Sequence, residues 1–448
     1  MSSIVGRRVI MAKKTKYRIQ TFDLIRSIAI ILMILAHVLD QWLVTESQWI
    51  AAILYLILSP MGVPGFMFCA GLGFGFSWQK NESKGYSRRR NTLYSLSRSI
   101  IILGIAIGYN LVGVIVHNRA FYDIWFWYIL QTIAISRIIG LIFTQLSVKG
   151  KLISALLIII VTHFLLFWML DYMDTSSLIN FFYILCFNSI DADSILFFLP
   201  FFITGMVFGE IIYEFYIGKI KIDLKKWAIF GLIIMLIGIF TGLNPASYYY
   251  GWNRFLDQLS LHPALDIKTL PLFLSRNSYA WILYSLGGEI MLLAGMFYKI
   301  DLKLIENQLK NKLEEGLKDR RKKDTTEVSG SLVKKPTSSS NEKLLKNNND
   351  IQRTLAYKIF IRSPQLFGKY SLSIYLIHYL AYLLPFEFTH KLILIAFLIF
   401  CLAIWLCIFI IDKYAKGRIS VEFLIGWGSM EIYKTFKQIG KQDQKPTQ

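Results

Sequence analysis

Charge is scarce in this chain: 17% of its residues are Asp, Glu, Lys or Arg, while 55% are hydrophobic. Soluble domains carry nearer a quarter charged residues, so this balance excludes an ordinary water-soluble globule. Acidic residues are the scarcer sign, 29 against 49 Lys and Arg, which leaves a net charge of +20. Cysteine is almost lacking. Cys69, Cys186, Cys401 and Cys407 stand apart in apolar stretches with no Cys-x-x-Cys spacing, which excludes a disulfide framework and a thiolate metal centre. No cleavable leader is expected, because the first apolar block has no small-residue cleavage site and runs on into further apolar sequence. Met11, followed by AKKTKYR, reads as a natural start.

What is present is long apolar runs. LIRSIAIILMILAHVLDQWLV (24–44) and LILIAFLIFCLAIWLCIFII (392–411) are each long enough to cross a bilayer core, which is about 30 Å thick. Backbone groups in lipid must bond internally, so such runs are helices. The expected fold is all-α, a polytopic transmembrane helical bundle of about ten membrane helices, with an eleventh left open. The spans fall near 22–43, 50–77, 93–115, 124–145, 152–170, 194–217, 227–243, 280–299, 366–385 and 390–411. The apolar stretch 178–190 is too short to span and reads as interfacial or re-entrant.

Loops between the spans alternate in charge. The basic ones, including QKNESKGYSRRR and GKIKIDLKK, all fall on one side, and the longest loop of the other side is 244–279. Basic loops stay cytoplasmic, so the surplus charge is topological and no nucleic-acid partner is expected. The resulting organisation is a basic cytoplasmic N-terminus (1–21) and a transmembrane core of eight helices (22–299). A basic disordered cytoplasmic insertion (300–357) follows, then two completing helices (358–411) and a cytoplasmic tail (412–448). The insertion is rich in Lys, Ser and Asn and nearly free of aromatics, too polar to bury the surface that offsets its ordering entropy. Its first half suits a basic amphipathic helix at the inner leaflet equally well as a solvated linker.

A polar group inside a membrane helix is costly and usually faces the bundle interior. The first span holds Asp23, Arg26, His37 and Asp40. Arg26 and His37 lie eleven positions apart, which places them on one helix face about 16 Å apart along the axis. Asp23 is three residues before Arg26 and Asp40 three after His37, so each has a partner on that face. Arg26 belongs near the cytoplasmic end and His37 in the outer half. In the ninth span Ser371, Tyr375, His378 and Tyr382 repeat along one face, with His378 level with His37. Two histidines at one depth, near an outer turn holding Asp191 and Asp193, can supply a general base and an orienting carboxylate. Each residue also has a plain structural reading: Arg26 snorkels to the interface, a lone histidine packs, and Tyr382 joins an aromatic belt. Metal ligation is not expected, because tight His, Cys and carboxylate spacing is missing.

The string RIQTFDLIRSIAIILMILAHVLDQW resembles the opening of membrane acyltransferases of the heparan-α-glucosaminide N-acetyltransferase-like family, and of the related bacterial surface-polysaccharide O-acyltransferases. PGFMFCAGLGFGFSW, FWYILQTIAISRIIG, DADSILFFLPFFITGMVFGE, RNSYAWILYSLGGEIMLLAG and FGKYSLSIYLIH are similar, in order, to later segments of the first family. The chain departs at Ser27, where the family has Gly, at Thr132, where it has Arg, after Pro200, where no Trp follows, and in the 300–357 insertion. The resemblance implies acyl transfer, usually of an acetyl group, from cytoplasmic acetyl-CoA or another acyl-CoA to a sugar amine or hydroxyl on the far side of the membrane. It implies His37 as the base or transient acyl carrier, with His378 and Asp191 in the catalytic set, to which the spacing adds Asp40 as the carboxylate that orients the His37 ring. Arg26, with Asp23 and Gln131, would hold the donor.

A transporter or flippase of a polar or lipid-linked solute is the alternative, since midplane charges suit it too. Against it, the halves show no repeated hydropathy pattern, and a Gly/Pro-interrupted segment is seen in the second span alone. A noncatalytic scaffold docking through its basic insertion is the third reading. The expected partners are membrane lipids and a glycan or lipid-linked sugar acceptor, with a homo-oligomer left open. The expected location is the cell membrane, multi-pass, with both termini cytoplasmic.

Overall fold

A computed structural model describes residues 18–116, 124–188, 192–245, 253–265, 268–307, 310, 314, 363–384 and 386–442. The insertion 300–357, apart from its first residues, and Asp191 lie outside the described residues. The fold is an all-α bundle; among the described residues the only β pairing is two isolated bridges, Leu43 with Phe388 and Pro245 with Pro271. In chain order the helices are α1 (Gln20–Trp42), α2 (Gln48–Leu58), α3 (Val63–Ser83), α4 (Arg88–Val116), α5 (Ile129–Phe143), α6 (Val148–Tyr172), α7 (Ser177–Cys186) and α8 (Ile195–Tyr216). They continue with α9 (Leu224–Thr241), α10 (Asn253–Ser260), α11 (Tyr279–Phe297), α12 (Ser363–Lys369), α13 (Ser371–Ile377), α14 (Ile393–Lys413) and α15 (Val421–Gln442).

Among the described residues, 8 helical spans are long and apolar enough to cross a membrane, counting α2 and α3 as one. Two of the expected ten come out shorter. The span 124–145 is the 15-residue α5, and the span 366–385 is α12, α13 and a 3-10 turn, His378–Leu383. The second expected span, 50–77, is not one helix: α2 ends in a 3-10 turn, Ser59–Met61, before α3 begins. Pro60 and Pro64 carry no N–H, so the ladder cannot continue through them. The apolar stretch at 178–190 forms α7, a ten-residue helix with no buried side chain. The expected tail 412–448 contains α15, which packs on α4 and buries Ile425 beside Ile102 and Ala134.

The centre of the bundle is α8, buried along nearly its whole length, with Phe197, Phe198, Phe201 and Phe202 fully enclosed. Its tightest neighbour is α3. A Cβ on Gly71 or Gly75 would strike the carbonyl oxygens of Phe202 and Met206, and one on Gly205 or Gly209 would strike those of Phe68 and Leu72. Two small-xxx-small stripes thus face each other, the arrangement by which helices in lipid approach backbone to backbone. Lys151 of α6 meets Glu210 of α8 through two contacts of 2.7 and 2.6 Å, both side chains buried. Capping fixes the helix starts. Ser147, Asp223 and Ser278 accept backbone N–H bonds at the first turns of α6, α9 and α11. For α1 the cap comes from a distance: Asp301, in the π-helical turn that continues α11, accepts from the N–H groups of Gln20 (3.1 Å) and Thr21 (2.8 Å).

Candidate active site

The break between α2 and α3 opens a space beside α1. A cavity of about 450 Å³ lies there, walled by Met33, Ala36, His37 and Asp40 of α1, by Tyr55, Gly62 and Val63 around the break, and by Tyr375 and Tyr379. Trp127, Tyr128, Asp193 and Arg276 close it. The single imidazole in this wall is His37, and His378 stacks behind it with ring centroids 5.1 Å apart and planes 27° apart. Helical spacing therefore placed the two histidines at one depth correctly, although the second sits where α13 passes into a 3-10 turn.

The surroundings of His378 fix its chemistry. Its side chain is 0% exposed, and its Nδ1 bonds to the Tyr375 carbonyl. A carbonyl only accepts, so Nδ1 carries the hydrogen, and Nε2 keeps its lone pair. Among the described residues Nε2 has no hydrogen-bond partner. By contrast both nitrogens of His163 of α6 lie against backbone carbonyls, Ile159 at 2.7 Å and Asn277 at 3.0 Å; a neutral ring donates to one of the two, and neither nitrogen faces a cavity, the pattern of a packing histidine. Tyr375 is enclosed beside His378, and Tyr379 bonds both Tyr109 and Tyr375. Ser371, on the same expected face, is buried, whereas the side chain of Tyr382 lies outside the described residues.

Opposite the histidines, Arg276 holds the Asp193 carboxylate with one nitrogen and the Tyr55 hydroxyl with the other, at 2.7 Å. Burial pushes the Asp193 carboxyl up from its ordinary value and the Arg276 charge opposes this. Sequence reasoning singled out the outer aspartates but missed Arg276, which stood there only as the first residue of a similar segment. Asp40 reaches the same cavity, as its spacing from His37 predicts. Asp191 lies outside the described residues.

Arg26 occupies the other end. Asp23 pairs with Arg18 (2.5 Å) and with Arg26 (3.8 Å), and Arg26 also donates to the Gly368 carbonyl at 3.4 Å. Gly368 is glycine by necessity, since a Cβ there would strike the Asp23 backbone. Two arginines that the sequence reading passed over join this end. Arg98 of α4 lies within electrostatic reach of Arg26, Arg137 and Glu422, and Arg137 of α5 sits 5.2 Å over the Phe74 ring. The Nε atoms of Arg98 and Arg137 are buried without a partner among the described residues. The available signal was a guanidinium inside an apolar helix, which alone flags an interior role. Glu422 is engaged elsewhere too: it accepts from Leu372 N (2.7 Å), Ser373 N (3.2 Å) and Ser373 Oγ (2.5 Å), while Ser373 Oγ accepts from Val421 N at 2.9 Å. Each helix thus caps the other. Gln131, expected with the donor-holding set, is fully buried and accepts from Asn110 at 3.1 Å, and the same Asn110 amide donates to the Ile124 and Phe126 carbonyls. It sits six residues from Arg137, about 9 Å along α5, and its hydrogen bond runs to Asn110 of α4.

The geometry is a two-ended site. A cluster of guanidinium groups suits an anion at one end, and an imidazole pair, His37 at the wall and His378 enclosed behind it, faces a mostly apolar cavity at the other. A family model for heparan-alpha-glucosaminide N-acetyltransferase, catalytic, matches residues 18–250, just over half of the chain. No curated protein and no solved structure matches it. The match holds His37, Arg26, Arg98 and Arg137 and ends before α11, so Arg276 and His378 join it through the contacts described above. This chain therefore belongs to the heparan-α-glucosaminide N-acetyltransferase catalytic family, with a membrane acetyltransferase-like function.

Proposed function

We propose that the protein transfers an acetyl or other acyl group from cytoplasmic acyl-CoA to a sugar amine or hydroxyl presented on the opposite face of the membrane. The observation that carries this reading is the stacked pair: His37 bordering a cavity, with His378 enclosed behind it. His37 takes the proton from the acceptor nucleophile or carries the acyl group itself. His378, whose lone pair faces no partner among the described residues, receives or steadies the charge that develops on the neighbouring ring. Asp193 and Arg276 offer an acceptor and a donor in fixed positions for the hydroxyls of a sugar, and Asp40 adds a second carboxylate at the rim.

The arginine end supports the donor half. Arg26, Arg98 and Arg137 concentrate positive charge beside Gly73 and Phe74 of α3, where a phosphorylated donor gains charge-assisted hydrogen bonds. The basic loops argue that this end is cytoplasmic. A cysteine introduced at Ser260 is then labelled from outside intact cells, and one at Lys434 is not; the reverse pattern overturns the orientation.

The breaks between α2 and α3 and between α12 and α13 also suit a transporter, which builds its site from discontinuous helices. Purified protein given radiolabelled acetyl-CoA and glucosamine separates the two readings. Acyl transfer yields labelled N-acetyl product and free thiol, whereas a transporter moves solute and leaves the thioester intact.

A further inference from the structure

One face of α11 carries polar groups that no described residue answers. Trp281, Ser285 and Glu289 follow at intervals of four, and the Trp281 Nε1, the Ser285 Oγ and both carboxyl oxygens of Glu289 are buried without a hydrogen-bond partner among the described residues. Glu289 is 1% exposed. An ionised carboxylate with no partner is strongly disfavoured in such a place, so the resting side chain holds a proton.

Its position gives that proton a use. Glu289 faces the first turn of α3, where a methyl group on Gly65 would come 2.7 Å from Oε1. Gly62 and Val63, just ahead, line the cavity of His37, and Cys69, one turn on, is within electrostatic reach of Glu289, Arg26 and Asp23. The acid therefore lies between the cavity and the arginine end. The partially positive start of α3 favours a transient carboxylate there, once the proton has gone. Among the described residues the neighbouring elements set no second carboxylate beside it: α9 presents Gly231, Met235 and Gly238 to α11, α3 presents Cys69, α1 presents Asp23 and Arg26 beyond Cys69, and His163 of α6 lies against the Asn277 carbonyl.

We propose that Glu289 is the general acid that protonates the thiol leaving from the donor, an inference that rests on the acyl-transfer reading. The acceptor nucleophile gives its proton to His37 as its nitrogen or oxygen bonds to the acyl carbon. The carbon–sulfur bond breaks, and the Glu289 proton passes to sulfur, so the thiol leaves neutral. The carboxylate then regains a proton from His37 by way of water and the Ser285 hydroxyl, and no outside reagent is consumed.

Two arms test this on the full-length protein in detergent. In the first, turnover is measured with acetyl-CoA and with the acetyl thioester of a nitrothiophenol, whose acidic thiol leaves without help. Glu289→Gln keeps the shape and the neutral state, so the protein stays monodisperse and the KM for acetyl-CoA is unchanged. Turnover with acetyl-CoA falls about 10²- to 10⁴-fold, and turnover with the aryl thioester falls far less. In the second arm wild-type protein is treated with dicyclohexylcarbodiimide, which reacts with a protonated carboxyl in apolar surroundings, and the Glu289 peptide is read by mass spectrometry. Labelling at Glu289 supports the protonated acid without needing a variant. Equal losses with both thioesters, near-normal turnover of Glu289→Gln, or no labelling of Glu289 each overturns the inference. A wild-type protein that transfers no acyl group from either donor overturns the acyltransferase reading itself, and this role with it.

Discussion

The two faces of α3 are packed by opposite rules. Toward α8 its glycines let backbone touch backbone, and little there can yield. Toward α1 the helix starts late, after a proline turn, and a cavity of about 450 Å³ opens beside its first residue, Val63. One helix therefore carries the rigid wall at Gly71 and Gly75 and borders the opening at its start, with Gly62 and Val63. A reactive pair is held to tight tolerance only when the shell behind it is locked, and here His37, His378 and Glu289 all lie against elements braced by that seam.

The largest effect should come from breaking the seam. Gly205→Leu drives a side chain into the Phe68 carbonyl, beyond the ~1–3 kcal/mol usual for overpacking, and should abolish monodisperse protein in detergent. Gly104→Leu, where the added atom meets nothing within 4 Å, should leave yield unchanged. Next is the clamp behind the seam. Lys151→Met strands the buried Glu210 carboxylate, which should cost about 3–5 kcal/mol in denaturation. Replacing both partners by apolar residues should restore most of it, and a double variant as unstable as the single would remove the clamp from the account.

On the open side, His37→Ala should lower acyl transfer about 10²- to 10⁴-fold with a normal elution profile. Retained turnover would move the base to His378. Arg137→Ala removes one guanidinium from the anion end, and the loss of a charged hydrogen bond worth about 1.5–3 kcal/mol should raise the donor KM roughly 10- to 100-fold with little change in turnover. A fall in turnover at unchanged KM would place Arg137 elsewhere in the cycle. His163→Gln should be the mildest, lowering stability by about 1 kcal/mol through its two carbonyl contacts and leaving turnover alone. That contrast among three histidines is the finest test of the comparison.

Much of this arrangement was legible in the sequence, because lipid enforces simple rules. Apolar runs had to be helices, and a fixed rise per residue set His37 and His378 at one depth on different helices. The break after α2 was hidden in plain view: Pro60 and Pro64 were visible, but the apolar run continues across them. The break at Tyr370 has no such mark, since it depends on Gly368 docking against the Asp23 backbone and on Glu422 capping the new start from α15. Those contacts are tertiary and leave no local pattern. Gln131 was placed with the donor by resemblance alone, and its bond to Asn110, from another helix, could not be read from α5. Arg98 and Arg137 were overlooked because a basic residue in a span reads first as an anchor. Glu289 lay inside SLGGEIMLL, where a lone carboxyl among apolar residues was itself the signal.

The central claim is that one protein holds a thioester donor at its arginine end and does the chemistry at the histidine cavity. The direct measurement is steady-state transfer from acetyl-CoA to glucosamine by purified wild-type, Arg26→Ala and His37→Ala proteins, with thiol release and N-acetyl product followed together. The account predicts equal thiol and product from the wild type, a raised donor KM for Arg26→Ala, and a collapsed turnover at near-normal donor KM for His37→Ala. Equal kinetic constants for all three proteins, or thiol release with no acylated sugar under any condition, would contradict it.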